Sequence, residues 1–184
     1  DINFGKTLAS IKDVLAKGSP DLLIASCELK DGDFIDYINP RVVVGSVATW
    51  EDRILICKRA IEPRLGFWTL PAGFMEMGET VEDAAKREAQ EEACADLELE
   101  RVLAVYSIPR ISQVQVMFKA RLLNPDVAPG PESQEVKLVK WDDIPWAGMA
   151  FPSAIWALKN WKSVEGRTDY VPFSNPPDSE HLTR

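Results

Sequence analysis

The sequence contains one histidine and three cysteines among its 184 residues. His181 lies in a polar segment near the end of the sequence, so catalysis by a Ser-His or Cys-His pair has no credible base. The cysteines Cys27, Cys57 and Cys94 are isolated from one another and form no Cys-x-x-Cys motif. This pattern argues against a disulfide framework and against a zinc site, and it predicts a reducing, cytoplasmic environment.

The sequence also lacks long hydrophobic runs and basic stretches. No segment approaches the roughly 18 consecutive apolar residues of a membrane span, and no charged-then-apolar leader opens the sequence. Because it begins at Asp1 and not at Met, a leader removed earlier is left open. The 21 basic and 29 acidic residues give a net charge of −8, which disfavours a nucleic-acid backbone or an anionic membrane as partner. An anionic small molecule would need metal ions to enter such a protein.

The order of predicted elements indicates one main domain with two additions. Residues 1–38 predict a helix followed by a β-hairpin, residues 39–165 the main domain, and residues 166–184 a proline-containing tail. Within the main domain, alternating apolar runs predict strands over about 42–47, 54–59, 68–70, 99–106, 113–122 and 136–141, and helices over about 81–95 and 151–161. Strands that flank a central helix, with a second helix late in the chain, predict an α/β fold (α+β by class) built as an α/β/α sandwich on a mixed sheet.

The predicted helix over 81–95 changes character along one face. Thr80 is the expected N-cap, and the apolar stripe that begins at Val81 continues into Glu88, Glu91 and Glu92. Three carboxylates at this spacing repel one another unless a cation holds them together, and hard divalent ions take such oxygen ligands. An exposed helix face with i,i+4 ion pairs is the alternative, and the helix alone favours it.

The order of residues around this helix resembles the Nudix hydrolase signature. That signature reads Gly, five residues, Glu, seven residues, then Arg-Glu-aliphatic-x-Glu-Glu-x-Gly-aliphatic. The matching residues here are Gly73, Glu79, Arg87, Glu88, Ala89, Glu91 and Glu92. Cys94 stands where the signature has glycine, a residue that tolerates positive φ. The resemblance therefore favours a metal site on this helix over an ordinary exposed face.

Further segments resemble one Nudix subgroup. Residues 39–63, 66–80 and 128–145 look like the FAD, ADP-ribose and NADH pyrophosphatases related to plant chloroplast FAD pyrophosphatase. The cysteines of that subgroup's N-terminal zinc ribbon are absent, so zinc is not expected. The resemblance implies that residues 39–165 are a Nudix hydrolase domain with the Nudix fold, and that residues 1–38 are an extension.

The resemblance also implies roles for individual residues. Glu88, Glu91, Glu92 and the carbonyl of Ala72 would hold Mg²⁺ or Mn²⁺, Arg87 would orient Glu88, and Glu79 would brace the loop against the helix. The catalytic base would be a glutamate of the signature or one in a distant loop, for which Glu132 and Glu135 are the candidates. Because the acidic site otherwise lacks nearby fixed cations, Arg59 and Arg64 are the expected contacts of substrate phosphates, with an ordinary surface arginine as the alternative for each; the resemblance to the subgroup supports Arg59. Trp68, like Trp50, Tyr106 and Trp146, could stack a base, although buried aromatic side chains usually belong to the core.

We therefore expect metal-dependent hydrolysis of the diphosphate linkage of a nucleoside diphosphate derivative, FAD or ADP-ribose first and NADH next. The products would be AMP and the other half of the substrate. A nucleotide sensor with the same fold but without turnover is the alternative, and the complete acidic set argues against it. An RNA-directed enzyme is disfavoured by the net charge. The free edge of the predicted N-terminal hairpin makes a homodimer plausible.

Overall fold

The computed structural model describes residues 39–179 of the chain, which divides into two units, Asp1–Asn39 and Pro40–Arg184. The helix and hairpin predicted for residues 1–38 lie outside the described residues. The strands are β1 (Arg41–Trp50), β2 (Arg53–Arg59), β3 (Trp68–Thr69), β4 (Ala72–Phe74), β5 (Leu97–Ile108), β6 (Gln113–Leu122) and β7 (Ser133–Lys140). The helices are α1 (Val81–Ala93) and α2 (Pro152–Ser163), with 3₁₀ turns at Pro109–Ile111, Trp141–Asp143, Trp146–Gly148 and Pro177–Ser179.

The seven strands form one mixed sheet in the order β3-β2-β1-β6-β5, with β4 paired to β1 and β7 paired to β2. The central pair, β1 with β6, is parallel, and the other pairs are antiparallel. On its other side β1 has two partners, β4 near its start and β2 at its end. Gly45 permits the first contact, because a Cβ there would lie 2.4 Å from the Cβ of Ala72.

The two helices pack on opposite faces of the sheet. Side chains of β2 alternate between the faces: Ile54 and Ile56 belong to the core cluster that includes Leu158 and Trp161 of α2. Leu55 and Cys57 belong to the cluster that includes Ala89 and Ala93 of α1. This layering confirms the predicted α/β/α sandwich on a mixed sheet.

The boundaries differ from the prediction at several places. Strand β1 continues to Trp50, β5 begins at Leu97, and β7 begins at Ser133, so Glu135 lies in a strand and not in a loop. Helix α1 ends at Ala93 and not near residue 95. The segment Ala72–Phe74, which is not among the predicted strands, is a strand because it pairs with the first half of β1, a contact between residues far apart in sequence. Part of the predicted C-terminal tail lies along the outer edge of β5, where the N–H of Phe173 donates to the carbonyl of Leu103 and the N–H of Val105 donates to the carbonyl of Phe173.

Within residues 39–179, no helix has both the length and the apolar character needed to cross a membrane.

Candidate active site

Helix α1 positions the acidic residues, and its start is defined by local chemistry. Thr80 is the N-cap, as predicted: its hydroxyl oxygen accepts from the N–H of Asp83 at 3.1 Å and its O–H donates to the carboxylate of Asp83 at 2.7 Å. The buried face of the helix consists of alanines and two glutamates: Ala84, Ala85, Glu88, Ala89, Glu92 and Ala93. Alanine lets the helix approach the sheet closely, and the same packing takes Glu88 and Glu92 out of water.

Arg87 joins the helix to the loop before it. Its Nε and Nη2 donate to the two carboxylate oxygens of Glu79, at 3.1 and 2.8 Å. Its Nη1 donates to Glu88 at 2.7 Å and to Glu91 at 2.8 Å, and its Nη2 also donates to the carbonyl of Phe74 at 3.0 Å. We call this set, Arg87 with Glu79, Glu88, Glu91 and the Phe74 carbonyl, the Arg87 bracket. The hydrogen bonds that Arg87 donates to Glu79 and Glu88 hold the pKa of Arg87 above its usual range, and those to Glu79 lower the pKa of Glu79.

Glu88 and Glu92 lie against the backbone of β4. A Cβ on Gly73 would lie 2.2 Å from the Oε2 atom of Glu88, so glycine is required for this approach. The N–H of Ala72 donates to the carboxylate of Glu92 at 3.1 Å. Burial raises the pKa of Glu88, and burial together with the charge of Glu88 raises the pKa of Glu92 to about 8. For both carboxylates, burial therefore outweighs the hydrogen bonds from Arg87 and from the N–H of Ala72, which favour the ionised forms.

These carboxylates fit a divalent cation by donor chemistry. In the part of the chain that the structure describes, no three His, Cys, Asp or Glu residues are grouped as a metal cage. In the same region, Nη1 of Arg87 donates to one oxygen each of Glu88 and Glu91. The donor set is nevertheless made of hard oxygens, and the raised pKa of Glu88 and of Glu92 is the strain that a bound cation would relieve.

A loop that follows β6 covers the end of α1. The N–H of Ala128 donates to the carbonyl of Ala93, and the N–H of Gly130 donates to the carbonyl of Glu92. A Cβ on Gly130 would lie only 1.6 Å from the carbonyl oxygen of Glu91, so this position also requires glycine. The docked loop brings Glu132 close enough for its charge to raise the pKa of both buried glutamates. Sequence reasoning missed Gly130, and its only signal there was a lone glycine between two prolines.

Arg59, at the end of β2, is 9% exposed. Its Nε donates to the carbonyl of Pro63 at 2.8 Å, and its guanidinium carbon lies 5.1 Å from the ring centroid of Phe151. Among residues 39–179, Nη1 and Nη2 of Arg59 have no hydrogen-bond partner. The charge of Arg59 lowers the pKa of Glu92, against the larger effect of burial. This guanidinium is thus a buried cation beside the acidic residues, with four N–H groups available to a ligand.

Three other predicted site residues have their contacts elsewhere. Glu135 forms an ion pair with Lys137 at 2.7 Å, and this contact lowers the pKa of Glu135. Trp68 packs on the α2 side of the sheet, with the ammonium of Lys137 5.0 Å from its ring centroid. Arg64 is exposed and stacks on Phe67 at 5.5 Å. Of the other aromatic candidates, Tyr106 is fully buried, and its hydroxyl accepts from Asn160.

Cys94 caps the C-terminal end of α1 in the left-handed conformation, with φ 49° and ψ 35°. Its N–H donates to the carbonyl of Gln90 at 3.0 Å. The glycine-type backbone is therefore kept although the residue is cysteine. The side chain is exposed, so no packing contact offsets the steric cost of this conformation.

The NUDIX domain family model matches residues 39–159, and the chain belongs to this family. It is a Nudix hydrolase. The ADP-ribose pyrophosphatase of Methanocaldococcus jannaschii is 29% identical over 131 residues, which are 69% of this chain and 78% of that protein. The crystal structure of a NUDIX hydrolase from Nitrosomonas europaea superposes with a TM-score of 0.72 at 41% identity, covering 82% of this chain and 93% of that one.

A further relative is known for a different substrate. The NAD-capped RNA hydrolase NudC of Salmonella schwarzengrund is 32% identical over 96 residues, which are 52% of this chain and 37% of NudC. This chain therefore matches little more than a third of that protein.

Proposed function

We propose that the chain hydrolyses the diphosphate linkage of a nucleoside diphosphate derivative, with ADP-ribose or FAD preferred over NADH, and releases AMP and the other half. One observation carries the proposal: Glu88 and Glu92 are buried with raised pKa beside Arg59, whose Nη1 and Nη2 have no partner among residues 39–179. A diphosphate is a ligand that suits both halves of this arrangement. The similarity to an ADP-ribose pyrophosphatase supports placing ADP-ribose among the first candidates.

A metal ion would bind at the glutamates of helix α1. Glu88, Glu91, Glu92 and the carbonyl of Ala72 are the proposed ligands of Mg²⁺ or Mn²⁺. When bound, such an ion neutralises diphosphate charge and lowers the pKa of the attacking water. Arg87 keeps Glu88 and Glu91 in place through one nitrogen, and Glu79 fixes the plane of Arg87 through two hydrogen bonds.

The remaining residues bind the substrate and accept the proton. Arg59 donates hydrogen bonds to phosphate oxygens, as its fork of N–H groups suits planar, bidentate contacts. Glu132 is the proposed base: its carboxylate takes a proton from water as the water oxygen attacks phosphorus, and the bond from that phosphorus to the bridging oxygen breaks. Between the two predicted bases, Glu132 is favoured because its charge reaches Glu88 and Glu92, whereas Glu135 pairs with Lys137.

The experiment is incubation of the purified protein and Mg²⁺ with ADP-ribose, FAD, NADH and NAD-capped RNA, followed by mass spectrometry of the products. We expect AMP from ADP-ribose or FAD, and a loss of most turnover in Glu92→Gln. Glu98→Gln is the matched control, because Glu98 is an exposed glutamate that pairs with Arg121 on the sheet. In the same assay, Glu132→Gln should lower kcat more than KM, while Glu135→Gln should stay near wild type.

Two outcomes would contradict the proposal. Tight binding of one nucleotide without release of any product would favour a sensor. Turnover of NAD-capped RNA alone would replace the small-molecule substrate class and would also correct the expectation that nucleic acid is not a partner.

A further inference from the structure

The guanidinium of Arg59 is held from two directions by groups outside the acidic helix. The carbonyl of Pro63 accepts from Nε in the plane of the group. The ring of Phe151 lies 5.1 Å from the guanidinium carbon. The backbone of Arg59 is also fixed, since its N–H donates to Phe67 and its carbonyl accepts from Gly66, both at 2.9 Å. With Nε bonded to Pro63, the guanidinium plane of Arg59 can still rotate and tilt. The ring of Phe151 is the contact that restricts this motion.

Phe151 is itself firmly anchored. It is the N-cap of α2, and its carbonyl accepts from the N–H groups of Ala154 and Ile155. The preceding residue, Ala150, donates to the carbonyl of Trp68 at 2.7 Å, and Met149 forms a β-bridge with Trp68. The ring is half-buried. Phe151 is therefore tied both to the first turn of a helix and to strand β3, which makes it a rigid support.

We propose that Phe151 is a positioning residue for substrate binding, which holds the plane of the Arg59 guanidinium so that Nη1 and Nη2 can contact a diphosphate together. The inference rests on the proposed function, in which Arg59 binds phosphate. A guanidinium binds phosphate through two parallel N–H groups only when its plane is aligned with the phosphate oxygens. A flexible arginine would first have to be ordered, and that entropic cost weakens binding.

The test measures binding of a non-hydrolysable diphosphate, methylenediphosphonate, by calorimetry in the presence of Mg²⁺. Arg59→Ala should weaken binding about tenfold or more. Phe151→Leu keeps an apolar side chain but removes the ring, and it should weaken binding about 3- to 30-fold, the range of a desolvated cation–π contact. Phe151→Tyr keeps the ring and should bind within about twofold of wild type.

A double-mutant cycle separates positioning from general packing. If Phe151 acts through Arg59, then Phe151→Leu in the Arg59→Ala background should change the affinity less than about twofold. Equal losses in the two backgrounds would overturn the proposal, as would wild-type affinity in Phe151→Leu or no binding by the wild-type protein. Thermal melts identify a variant that fails to fold, in which case Phe151→Met replaces Phe151→Leu.

An NMR measurement tests the role of Phe151 independently of binding. In ¹⁵N-labelled protein at low temperature, the Nη–H signals of Arg59 are identified by their loss in Arg59→Ala, and their heteronuclear NOE reports the rigidity of the guanidinium plane. We expect a rigid signal in wild type and in Phe151→Tyr, and a mobile one in Phe151→Leu. A signal that is equally rigid in Phe151→Leu would refute the role of the ring. Neither the calorimetry nor the NMR measurement requires turnover. If the protein hydrolysed none of the nucleotides, the proposed function would be wrong, but the role of Phe151 would still be tested by these two measurements.

Discussion

Two arginines beside the same acidic helix have opposite environments. Arg87 is bonded to three carboxylates and a carbonyl, and all three of its nitrogens have partners. Arg59 is more deeply buried, yet Nε alone of its guanidinium nitrogens has a hydrogen-bond partner among residues 39–179. The guanidinium donors of Arg87 are therefore satisfied within the protein, whereas Nη1 and Nη2 of Arg59, which are not fully buried, are left to donate to solvent or to a ligand.

Under the proposed function, this difference separates a residue that supports the acidic side chains, Arg87, from one that recognises the substrate, Arg59. The Arg87 bracket is internal to the loop and helix of the signature, so it can form before any substrate arrives. The Arg59 contacts come from the β2–β3 connection and from the start of α2. Substrate binding should thus depend on segments outside the signature. The positions of Glu79, Glu88 and Glu91 should depend on the signature itself.

The largest expected effect is that of Arg87→Ala. The change leaves Glu79, Glu88 and Glu91 without their shared cation, so we expect activity to fall about 10- to 100-fold. Stability should fall by about 1–3 kcal/mol, with the lower end favoured because Glu91 is half-exposed. Lysine cannot bridge the same acceptors, so Arg87→Lys should not restore activity. Urea denaturation and steady-state kinetics measure both effects, with Arg121→Ala as the exposed control. Full activity in Arg87→Lys would show that charge alone suffices.

Arg59→Ala should affect substrate binding more selectively. Loss of charge-assisted hydrogen bonds to a phosphate should raise KM about tenfold, with a smaller change in kcat. Stability should change less than in Arg87→Ala, because removing a desolvated cation also removes its desolvation cost. The measurements are the same kinetics and denaturation. An unchanged KM would mean that Arg59 does not bind substrate, and the proposed difference in role between Arg59 and Arg87 would then be wrong.

The fold followed from sequence patterns where those patterns are local. The alternation in β2 and the N-cap at Thr80 predicted elements that the structure confirms. The short strand at Ala72–Phe74 could not be predicted in this way, because it exists only through pairing with β1. Its own residues have turn-like composition, and a three-residue strand has no measurable periodicity.

The acidic part of the site was similarly accessible, and the part around Arg59 was not. Glu79, Arg87 and Glu91 lie within one loop and one helix, and their order resembles the Nudix signature, which made this part of the site predictable, whereas the helix alone favoured an exposed face. Phe151 is 92 residues from Arg59 in sequence, and no local pattern connects them. The docking of Gly130 on Glu91 is equally non-local. Such contacts follow from the packing of the whole sheet.

A smaller effect is expected in the pH dependence of stability without divalent ions. Glu92 lies outside the Arg87 bracket, and burial raises its pKa from 4.5 to about 8. The folded protein then binds a proton that the unfolded chain releases, so this contribution to stability is complete below pH 4.5 and is lost as the pH rises through 8. In EDTA, wild type should lose about 1–3 kcal/mol relative to Glu92→Gln between pH 5 and pH 8.5. Denaturation at several pH values measures this difference, and parallel curves for the two proteins would contradict the raised pKa.

The smallest effect concerns Cys94, at the helix end that supports Glu91 and Glu92. A cysteine at φ 49° pays the steric cost of the left-handed region, about 1–2 kcal/mol. Glycine removes that cost but has more entropy in the unfolded chain. Cys94→Gly should therefore stabilise the protein by about 0.5–1 kcal/mol, measured by denaturation in a reducing buffer. Cys94→Ala keeps the Cβ and should give no gain, so equal stabilisation by both changes would attribute the effect to the thiol. Because the backbone at Cys94 already has the conformation of a glycine, Cys94→Gly should leave KM and kcat unchanged. Unchanged kinetics would show that cysteine at this position disturbs neither the Arg87 bracket nor Arg59.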